Sequence, residues 1–529
     1  MKNIVVKKSL LVLAIAGGLA SCTNDLNRNP INTTTDAVAF STPLGYKQGL
    51  AKVYGAFATT GSSGAGSGDI AGIDAGTSDF VRLYWNAQEL PTDEAVCVWN
   101  DPGVPDFHNN SWTSNNVILL GLYNRSLYQI TLANSYINEA TEANLTARGI
   151  SGTDATEIGY YRAEARFLRA YQYWVLMDMF GNPPFVTETS PIGKSLPPQI
   201  KRADLFNYVE SELKALEPLL KAPKTNEYGR VDQAADWALL SRMYLNAQVY
   251  TGTARYTDAI TYASKVIGAG YSLSTSYKNL FTADNNVNNP EVILPVEYDL
   301  VNTQNYGGTT FIINSSVSGA EGPANFGVPG GGWSGNHTTQ VLPNLFGDYS
   351  GNTDKRAMFY TGGGTTKNTT DLSTFTSGFA VTKFTNLTSG GLTLPGASVF
   401  CSTDFPLFRL GEVYLNYAEA VLRGGTGGSS AQALTYFNLL RQRAYGNTSG
   451  NMTTIALSDV LNERMKELYW EATRRTDLIR FGMFTGGSYL WPFKGGVLAG
   501  TSIPDYRALY PLPATDVTAN PNLVQNPGY

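Results

Sequence analysis

The sequence predicts a mainly α-helical protein, in which a scaffold of helical hairpins carries a loop-rich, irregular face and a few short strands. Apolar residues recur three or four positions apart in several separate blocks, as they do in amphipathic helices. Two neighbouring pairs of these blocks contain small alanines, which let one helix approach another closely. Long segments rich in Gly, Asn, Ser and Thr separate the blocks, and such composition is typical of loops.

The helical blocks occupy residues 161–266 and 407–472. The third and fourth blocks form one predicted hairpin, and the fifth and sixth, joined by the turn GGTGGSS, form a second. Both resemble tetratricopeptide hairpins, although their connections are longer than in that repeat. In chain order, the residues that mark the blocks are Tyr161, Ala165, Leu168 and Tyr171; Leu205, Val209, Leu213, Leu216 and Leu220; Trp237, Leu240, Tyr244 and Ala247; Tyr256, Ala259, Ala263 and Val266; Leu407, Leu410, Tyr414, Tyr417 and Val421; Ala433, Phe437, Leu440 and Ala444; Leu461, Met465, Leu468 and Ala472.

Two long segments, residues 59–116 and 270–405, contain only short strand-like pieces such as EVILPV and GFAVTKF. Loops of this length inside a compact chain are usually functional. We therefore expect the binding site on the face that these two segments build.

The first 22 residues have the pattern of a lipoprotein export signal. Three lysines precede an apolar run from Leu10 to Ala20, which is too short to span a membrane. The run leads into Leu-Ala-Ser-Cys, the bacterial lipobox pattern, which predicts lipidation of Cys22; an ordinary cleaved signal with a chance cysteine is the alternative. The predicted organisation is a signal peptide (1–21), a lipidated tether (22–36) and a single domain (37–529), with the helical scaffold at about 37–60, 117–269 and 405–482 and the loop-built face at about 61–116 and 270–404.

Composition excludes several classes of function. The net charge is −5 and the Lys and Arg residues are scattered, which argues against nucleic acid as a partner. His108 and His337 are the only histidines, which removes most designs for a histidine-based metal site or a Ser/His pair, and we expect both at the surface or in loops. After lipidation only Cys97 and Cys401 remain, so at most one disulfide bond can form.

Five segments stand in an order and spacing found in one protein family: RAEARFLRAYQYWVLMDMFGNPPFV, GRVDQAADWALLSRMYLNAQVY, DFPLFRLGEVYLNYAEAVLR, RMKELYWEATRRTDLIRFGMF and YPLPATDVTANPNLVQNPGY. They resemble the SusD/RagB family of outer-membrane nutrient-binding lipoproteins over nearly the whole mature chain. The resemblance implies a mostly helical fold with tetratricopeptide-like hairpins, no enzymatic activity and no cofactor. It also implies a place at the cell surface, with a SusC-like TonB-dependent porin as partner.

Two further segments, FVRLYWNAQELPTDEAVCVWND from Phe80 and QNYGGTTFI from Gln304, resemble the starch-binding founding member of that family more closely than the family at large. In that protein an arc of three aromatic rings fits the curved face of an α-glucan. The resemblance implies that Trp99, Tyr306 and Trp333 form such an arc here and bind starch or malto-oligosaccharides.

The same resemblance implies polar contacts beside the rings. Arg82 matches a sugar-contacting position, and Asn100 and Asp101 are the candidates for another, because the loop after the first ring is shorter than in the founding member. Planar Arg donors and Asn or Asp side chains can each serve two neighbouring hydroxyls. The founding member's calcium ligands are poorly matched around Asp284 and Ser402, so no structural metal is predicted.

The chemistry of a pyranose explains the choice of rings. Its apolar C–H face stacks on an aromatic plane while its hydroxyl rim stays free to hydrogen-bond. Aromatic rings set at an angle to one another can follow the curl of an α-1,4-linked chain. A flat β-1,4-linked chain would instead stack best on a row of coplanar rings. Because 12% of the chain is aromatic, any one ring is by itself more often a core residue, but the adjoining NDPG, GG and GGG favour exposed turns.

Other functions stay open at this point: the same role for a different polysaccharide, a structural tetratricopeptide adaptor, or a surface glycoside hydrolase. A hydrolase would need two carboxylates about 5 to 10 Å apart across a cleft. Glu467 and Glu471 are the candidates in the charged run near the C-terminus. Helical spacing places them near Arg474, Arg475 and Asp477, which favours structural ion pairs instead.

Overall fold

The computed structural model describes residues 36–191, 193 and 195–529. The predicted signal peptide and the predicted lipidation site Cys22 lie outside the described residues. The helices are α1 (Asp36–Ala39), α2 (Pro43–Ala58), α3 (Phe80–Glu89), α4 (Pro105–His108), α5 (Val117–Glu139), α6 (Glu142–Ala147), α7 (Gly152–Met179), α8 (Arg202–Leu216), α9 (Gln233–Leu245), α10 (Ala247–Thr251), α11 (Tyr256–Ile267), α12 (Gly308–Ser315), α13 (Val341–Phe346), α14 (Leu410–Leu422), α15 (Ser430–Tyr445), α16 (Leu457–Leu468), α17 (Arg474–Arg480) and α18 (Ala514–Ala519). The strands are β1 (Ala95–Cys97), β2 (Val292–Val296), β3 (Asn336–Thr338), β4 (Phe359–Tyr360), β5 (Ala380–Val381) and β6 (Phe405–Arg409).

The scaffold is a stack of helices. α5 packs against α7 and α7 against α8, while α9 packs against α11, α11 against α14, and α14 against α15. Ala259 and Ala263 of α11 are fully buried, and their small side chains allow the close approach that the sequence predicts. The two predicted hairpins, α9 with α11 and α14 with α15, therefore join through α11 and α14, and the predicted mainly helical fold is confirmed.

The last predicted helix ends earlier than the apolar spacing through Ala472 indicates. α16 ends at Leu468, and both Trp470 and Ala472 have left-handed backbone angles, with φ of 65° and 60°. The backbone N–H of Trp470 donates to Glu94, which lies in the segment after α3. Contacts between distant segments are not visible as a periodic pattern in the sequence. The apolar spacing therefore predicted a helix that is longer than the one observed.

The two segments predicted as loops also contain helices, which corrects the expectation of strand-like pieces alone. α3 and α12 both lie inside them. Every residue of α12 is buried, and so is every residue of α3 except Arg82. α12 has no charged face, so it lacks the alternation by which helices are recognised in a sequence. α3 does carry polar residues at helical spacing, Arg82, Asn86 and Glu89, and sequence reasoning passed over this signal.

The strands pair in small antiparallel sheets. The predicted pieces EVILPV and GFAVTKF contain β2 and β5, which pair with β6 and β4. β1 pairs with β3, with Ala95 opposite Thr338 and Cys97 opposite Asn336. This last pairing brings two of the candidate binding residues together, because Trp99 lies two residues after β1 and Trp333 three residues before β3.

The expectation for the two histidines is wrong. His108 lies at the end of α4 and His337 in β3, and their side chains are 6% and 0% exposed. Burial lowers the pKa of each to about 4, so both rings are neutral at pH 7 and can be accommodated in the interior. Cys97 and Cys401 are buried free thiols, and no disulfide bond joins them.

Within the part of the chain that the structure describes, no helix combines the length and the apolar character of a membrane span. In the same residues, no group of three or more His, Cys, Asp and Glu side chains is arranged to hold a metal ion.

Candidate functional site

The three rings singled out in the sequence lie side by side in space, although more than 200 positions separate the first from the second. The ring centroids of Trp99 and Trp333 are 6.4 Å apart with their planes at 45°. Those of Trp333 and Tyr306 are 6.3 Å apart with their planes at 47°. We call Trp99, Trp333 and Tyr306 the ring row. Its successive tilts allow it to follow a curved ligand.

The ring row is partly open to solvent. The Tyr306 side chain is 44% exposed, and Trp99 and Trp333 are half-buried. Tyr306 is therefore not a core residue, whereas Trp99 and Trp333 pack against the core with part of each side chain open to solvent. Whether the row binds a sugar stays a prediction, because the structure contains no ligand.

One helix, α12, holds all three rings. Tyr306 stands two residues before its first residue. The backbone N–H of Trp333 donates to the carbonyl oxygen of Asn314 in its last turn, at 2.7 Å. The ring of Trp99 packs edge-on against Phe311 in its middle, with centroids 6.0 Å apart. The geometry of the ring row therefore depends on where α12 lies.

The position of α12 is set by a shared cap. Asp79 is fully buried, and its Oδ1 accepts the backbone N–H of Arg82 at 2.9 Å in the first turn of α3 and that of Gly308 at 2.8 Å at the start of α12. One carboxyl group thus caps two helices and ties them together. Burial raises the pKa of Asp79, although both backbone donors oppose the shift.

The sequence around Tyr306 suggested that the two glycines after it form an exposed turn. In the structure they instead make room for this cap. Gly307 and Gly308 are both buried. A Cβ atom on Gly307 would lie 2.0 Å from the Cβ of Asp79, so any larger residue would displace the capping carboxyl group.

Arg82 lies between the two ends of the ring row. Its Nη1 donates to the carbonyl oxygen of Tyr306 at 3.1 Å, and its guanidinium carbon lies 4.5 Å from the ring centroid of Phe311 and 5.8 Å from that of Trp99. Burial lowers the pKa of the group, and its Nε is buried without a hydrogen-bond partner among the described residues. The guanidinium therefore supports the row and keeps donor capacity unused.

The first ring is held at the edge of the row by its own polar atom. The indole Nε1 of Trp99 donates to the carbonyl oxygen of Trp333 at 3.2 Å. Asn100 and Asp101 follow it in the chain, and both are exposed. Asn100 and Asp101 therefore adjoin the Trp99 end of the row, whereas Arg82 lies between Trp99 and the carbonyl oxygen of Tyr306.

Sequence reasoning missed several residues that build this site. Asp79 precedes an apolar run in the manner of an N-terminal cap, so a capping signal was present. Phe311, Asn314 and Phe400 carry no such signal, because their importance comes only from contacts with α12 or the rings. Phe400 lies beside Tyr306, with ring centroids 5.3 Å apart and planes at 51°.

The carboxylates considered for hydrolysis lie in a buried group of ion pairs, which we call the ion cluster: Glu467, Glu471, Arg409, Arg356 and Lys383. Glu467 contacts Arg409 at 2.6 Å and Arg356 at 3.0 Å. Glu471 contacts Arg409 and Lys383, both at 2.6 Å. All five side chains are at most 6% exposed. Structural pairing is therefore confirmed.

The partners in these pairs differ from those expected. They come from other segments of the chain, not from the neighbouring turn of the same helix. Arg474 likewise pairs with a distant residue, Asp93, and Arg475 donates to the carbonyl oxygen of Ala508. Asp477 instead pairs within the run, with Arg464 of α16 and with Arg480 one turn further along its own helix α17.

Similarity to known proteins identifies the family. Residues 350–529 match the model of the SusD family, and residues 86–245 match a family described as starch-binding and associating with the outer membrane. The starch-binding protein SusD of Bacteroides thetaiotaomicron is 36% identical to this chain over 98% of both proteins. The chain belongs to the SusD family.

Solved structures confirm the fold. A SusD superfamily protein of Bacteroides thetaiotaomicron aligns over 92% of this chain and all of its own, with a TM-score of 0.69 and 22% identity. The surface glycan-binding protein A of Bacteroides fluxus aligns over 92% of this chain and all of its own, with a TM-score of 0.70 and 20% identity. The corresponding protein of Bacteroides thetaiotaomicron, solved in complex with laminarihexaose, aligns over 91% of this chain and 98% of its own, with a TM-score of 0.67 and 19% identity. At such identities the likeness concerns the fold alone.

Proposed function

We propose that this member of the SusD family is a non-catalytic, cell-surface glycan-binding lipoprotein. It captures starch or malto-oligosaccharides and passes them to a TonB-dependent outer-membrane transporter. The observation that carries the proposal is the ring row, three half-open aromatic rings tilted by 45° and 47° from one to the next. The relative that is 36% identical over nearly the whole chain is a starch-binding protein, which supports the choice of ligand.

The ring row suits an α-glucan for a physical reason. Each ring removes the C–H face of one sugar from water, and the tilt between rings matches a chain that curls. A flat β-1,4 chain would lose contact with the outer rings. Stacking on an open surface keeps the hydroxyl rim in water, so we expect affinities on the order of micromolar to millimolar for short oligosaccharides.

Polar side chains at the Trp99 end would orient the sugar. Arg82, Asn100 and Asp101 can hydrogen-bond to the hydroxyls of a sugar stacked on that ring. The position of Arg82 supports this role, because its guanidinium carbon lies 5.8 Å from the ring centroid of Trp99 and its Nη1 contacts the carbonyl oxygen of Tyr306.

The remaining parts of the proposal rest on the sequence and the family. Lipidation at Cys22 would anchor the protein in the outer membrane, and capture near a transporter would raise the local sugar concentration. The candidate carboxylates Glu467 and Glu471 are bound in the ion cluster away from solvent, which argues against a hydrolase.

Affinity electrophoresis tests the ligand. The protein without residues 1–22 is run in gels that contain amylopectin, laminarin, a cellulose-type polymer, xylan or mannan. We expect retardation by amylopectin alone, and loss of it in the double variant Trp99→Ala with Trp333→Ala. Tyr349→Ala is the matched control, because Tyr349 is a 37% exposed ring that packs on Phe379 and lies outside the ring row. Retardation by another polymer, or by none, would refute the starch assignment.

A β-1,3-glucan is the second candidate, because a structural relative was solved with laminarihexaose and that linkage also gives a curved chain. Retardation by laminarin and not by amylopectin would select it. New reducing ends after incubation with starch would instead indicate a hydrolase. A transporter pull-down without sugar, unchanged when all three rings are replaced, would favour an adaptor.

A further inference from the structure

A fourth aromatic ring continues the ring row beyond Tyr306. The ring of Phe400 lies 5.3 Å from that of Tyr306 at an interplanar angle of 51°, close to the 45° and 47° between the earlier rings. The Phe400 side chain is half-buried, so part of the ring faces solvent. We propose that Phe400 is a fourth stacking platform, which extends the site to longer α-glucan chains. The inference rests on the proposed function and adds a preference for chain length.

The backbone around Phe400 is fixed to the same helix that holds the other rings. The side-chain amide of Asn314 donates to the carbonyl oxygen of Val399 at 3.0 Å, and the backbone N–H of Cys401 donates to Thr310 Oγ1 at 3.1 Å. Both partners belong to α12. Phe400 is therefore held relative to the ring row by the two residues that flank it, and ligand binding would not have to order it.

A third contact joins Phe400's segment to the segment that carries Trp333. The backbone N–H of Gly330 donates to the carbonyl oxygen of Ser398 at 3.0 Å. The side chain of Asn314 also accepts the backbone N–H of Gly332 at 3.2 Å. One buried amide thus holds the segment of Phe400 and the segment of Trp333 in a constant relation to each other and to α12.

The four rings form an open row and not a compact cluster. Among the described residues, ring contacts join Trp99 to Trp333, Trp333 to Tyr306, and Tyr306 to Phe400, but not the outer members to one another. A compact cluster would bury its members against each other, whereas an open row presents a new surface with each ring. Each ring is about as wide as one pyranose, so the fourth ring adds room for one more sugar residue.

Phe400 has a rival role, which is to brace Tyr306 from the side without touching sugar. The two roles differ in their dependence on chain length. A brace would affect every ligand that stacks on Tyr306, including a trisaccharide. A platform would affect only a ligand long enough to reach beyond Tyr306.

Isothermal titration of the purified protein with maltotriose and maltoheptaose separates these roles. For Phe400→Ala we expect about fivefold to tenfold weaker binding of maltoheptaose and less than a twofold change for maltotriose. Phe400→Tyr keeps an aromatic face and should retain both affinities. Phe400→Leu keeps apolar packing on Tyr306 and should show the same selective loss as Phe400→Ala, with thermal unfolding unchanged.

Other outcomes overturn the proposal. Equal weakening of both sugars would identify Phe400 as a brace, and unchanged affinity for both would remove it from the site. A wild-type protein that binds neither sugar would refute the proposed starch function itself, and the fourth platform would fall with it.

Discussion

The ring row and the ion cluster both consist of side chains of the types that bind or cleave carbohydrates. They differ in how far those side chains are exposed and paired. In the ion cluster every carboxylate is matched by a cation and excluded from water. In the ring row the aromatic faces are half-open, and the cation of Arg82 keeps a buried, unpartnered nitrogen. The comparison teaches that residue type alone does not mark a candidate site: the aromatic faces that remain accessible to solvent distinguish the ring row from the ion cluster.

The pKa of Glu467 reflects this pairing within the ion cluster. Burial opposes the ionisation of Glu467, but Arg443, Arg409 and Arg356 outweigh it and hold its pKa below the usual value. Its negative charge is therefore paired with cations from segments that are distant in the sequence, and these ion pairs hold the segments together. A catalytic carboxylate would instead need access to substrate and a pKa suited to proton transfer.

The largest expected effect is on the ion cluster. Glu467→Ala leaves buried arginines without their counter-charge, and we expect it to lower the free energy of unfolding by about 3–5 kcal/mol. Urea denaturation measures the change. Lys214→Ala is the control, because it removes a partly exposed pair with Glu210 at one helical turn and should cost no more than about 0.5 kcal/mol.

If Glu467→Ala prevents folding, Glu467→Gln keeps the hydrogen-bonding oxygen, removes the charge and should show a smaller loss. A Glu467→Ala protein as stable as the wild type would mean that the cluster does not hold the fold, and the contrast with the ring row would collapse.

The next effect joins stability to binding. Asp79→Ala removes the cap shared by α3 and α12, and we expect a loss of about 2 kcal/mol in unfolding free energy, since each cap contributes about 1 kcal/mol. Glycan affinity should also fall several-fold, because α12 positions the rings. Asp232→Ala is the matched control: Asp232 caps α9, accepting the N–H groups of Ala234 and Ala235. It should lower stability without changing affinity, and a similar loss of affinity in both variants would contradict a specific role for α12.

A smaller effect is confined to binding. Trp333→Ala removes the central ring, and we expect about tenfold weaker binding of maltoheptaose, equivalent to about 1.4 kcal/mol. Isothermal titration measures it, with Tyr349→Ala as the exposed-ring control. Thermal unfolding should change much less than for Glu467→Ala. Unaltered affinity would show that sugar binds elsewhere on the molecule.

A further effect appears only as a dependence of stability on pH and concerns a buried carboxyl group outside both regions. Asp404 accepts hydrogen bonds from the backbone N–H of Tyr298 and the hydroxyl of Tyr228, both at 2.8 Å, and burial raises its pKa to about 7. Between about pH 4 and pH 7 the unfolded chain binds fewer protons at this residue than the folded one. Its contribution to stability therefore falls as the pH rises through that window, by at most about 1.4 kcal/mol per pH unit, and is constant above it.

Asp404→Asn should remove this slope. Thermal unfolding between pH 4 and pH 8 tests it against the wild type. Some slope should remain in the variant, because burial also raises the pKa values of Glu89 and Glu321 to about 7. A slope identical to that of the wild type would show that Asp404 does not take up a proton on folding.

Much of the scaffold could be predicted because its helices are exposed on one face. The spacing in α7, α8, α11 and α15 records which side meets the core, so an apolar pattern was enough. The same method overlooked α12, which has no charged face, and the short helix α3, whose polar residues do stand at helical spacing. It extended α16 past Leu468, where Glu94 holds the backbone of the following segment. It also misjudged His337, since no local pattern shows that a neutral imidazole will be enclosed in a sheet.

For the candidate site, the family resemblance selected Trp99, Tyr306 and Trp333. The structure adds the residues from other segments that hold these three rings in place. Their alignment depends on Asp79, Phe311 and Asn314, which act through contacts across long stretches of chain. These residues have little in common in type or spacing. Only a hydrogen bond or a ring contact in space reveals that they belong together.

By itself the sequence determined the helical class, the two hairpins, the family and the three rings, because each is recorded locally in residue spacing or in motifs of adjacent residues. The tertiary structure alone decided that the rings stand in one tilted row on α12, that Asp79 caps two helices at once, and that the carboxylates near the C-terminus are neutralised by Arg356, Lys383 and Arg409. Local periodicity reports which face of an element is buried. It does not show which distant segment packs against that face. Both the ring row and the ion cluster are formed by contacts between such distant segments.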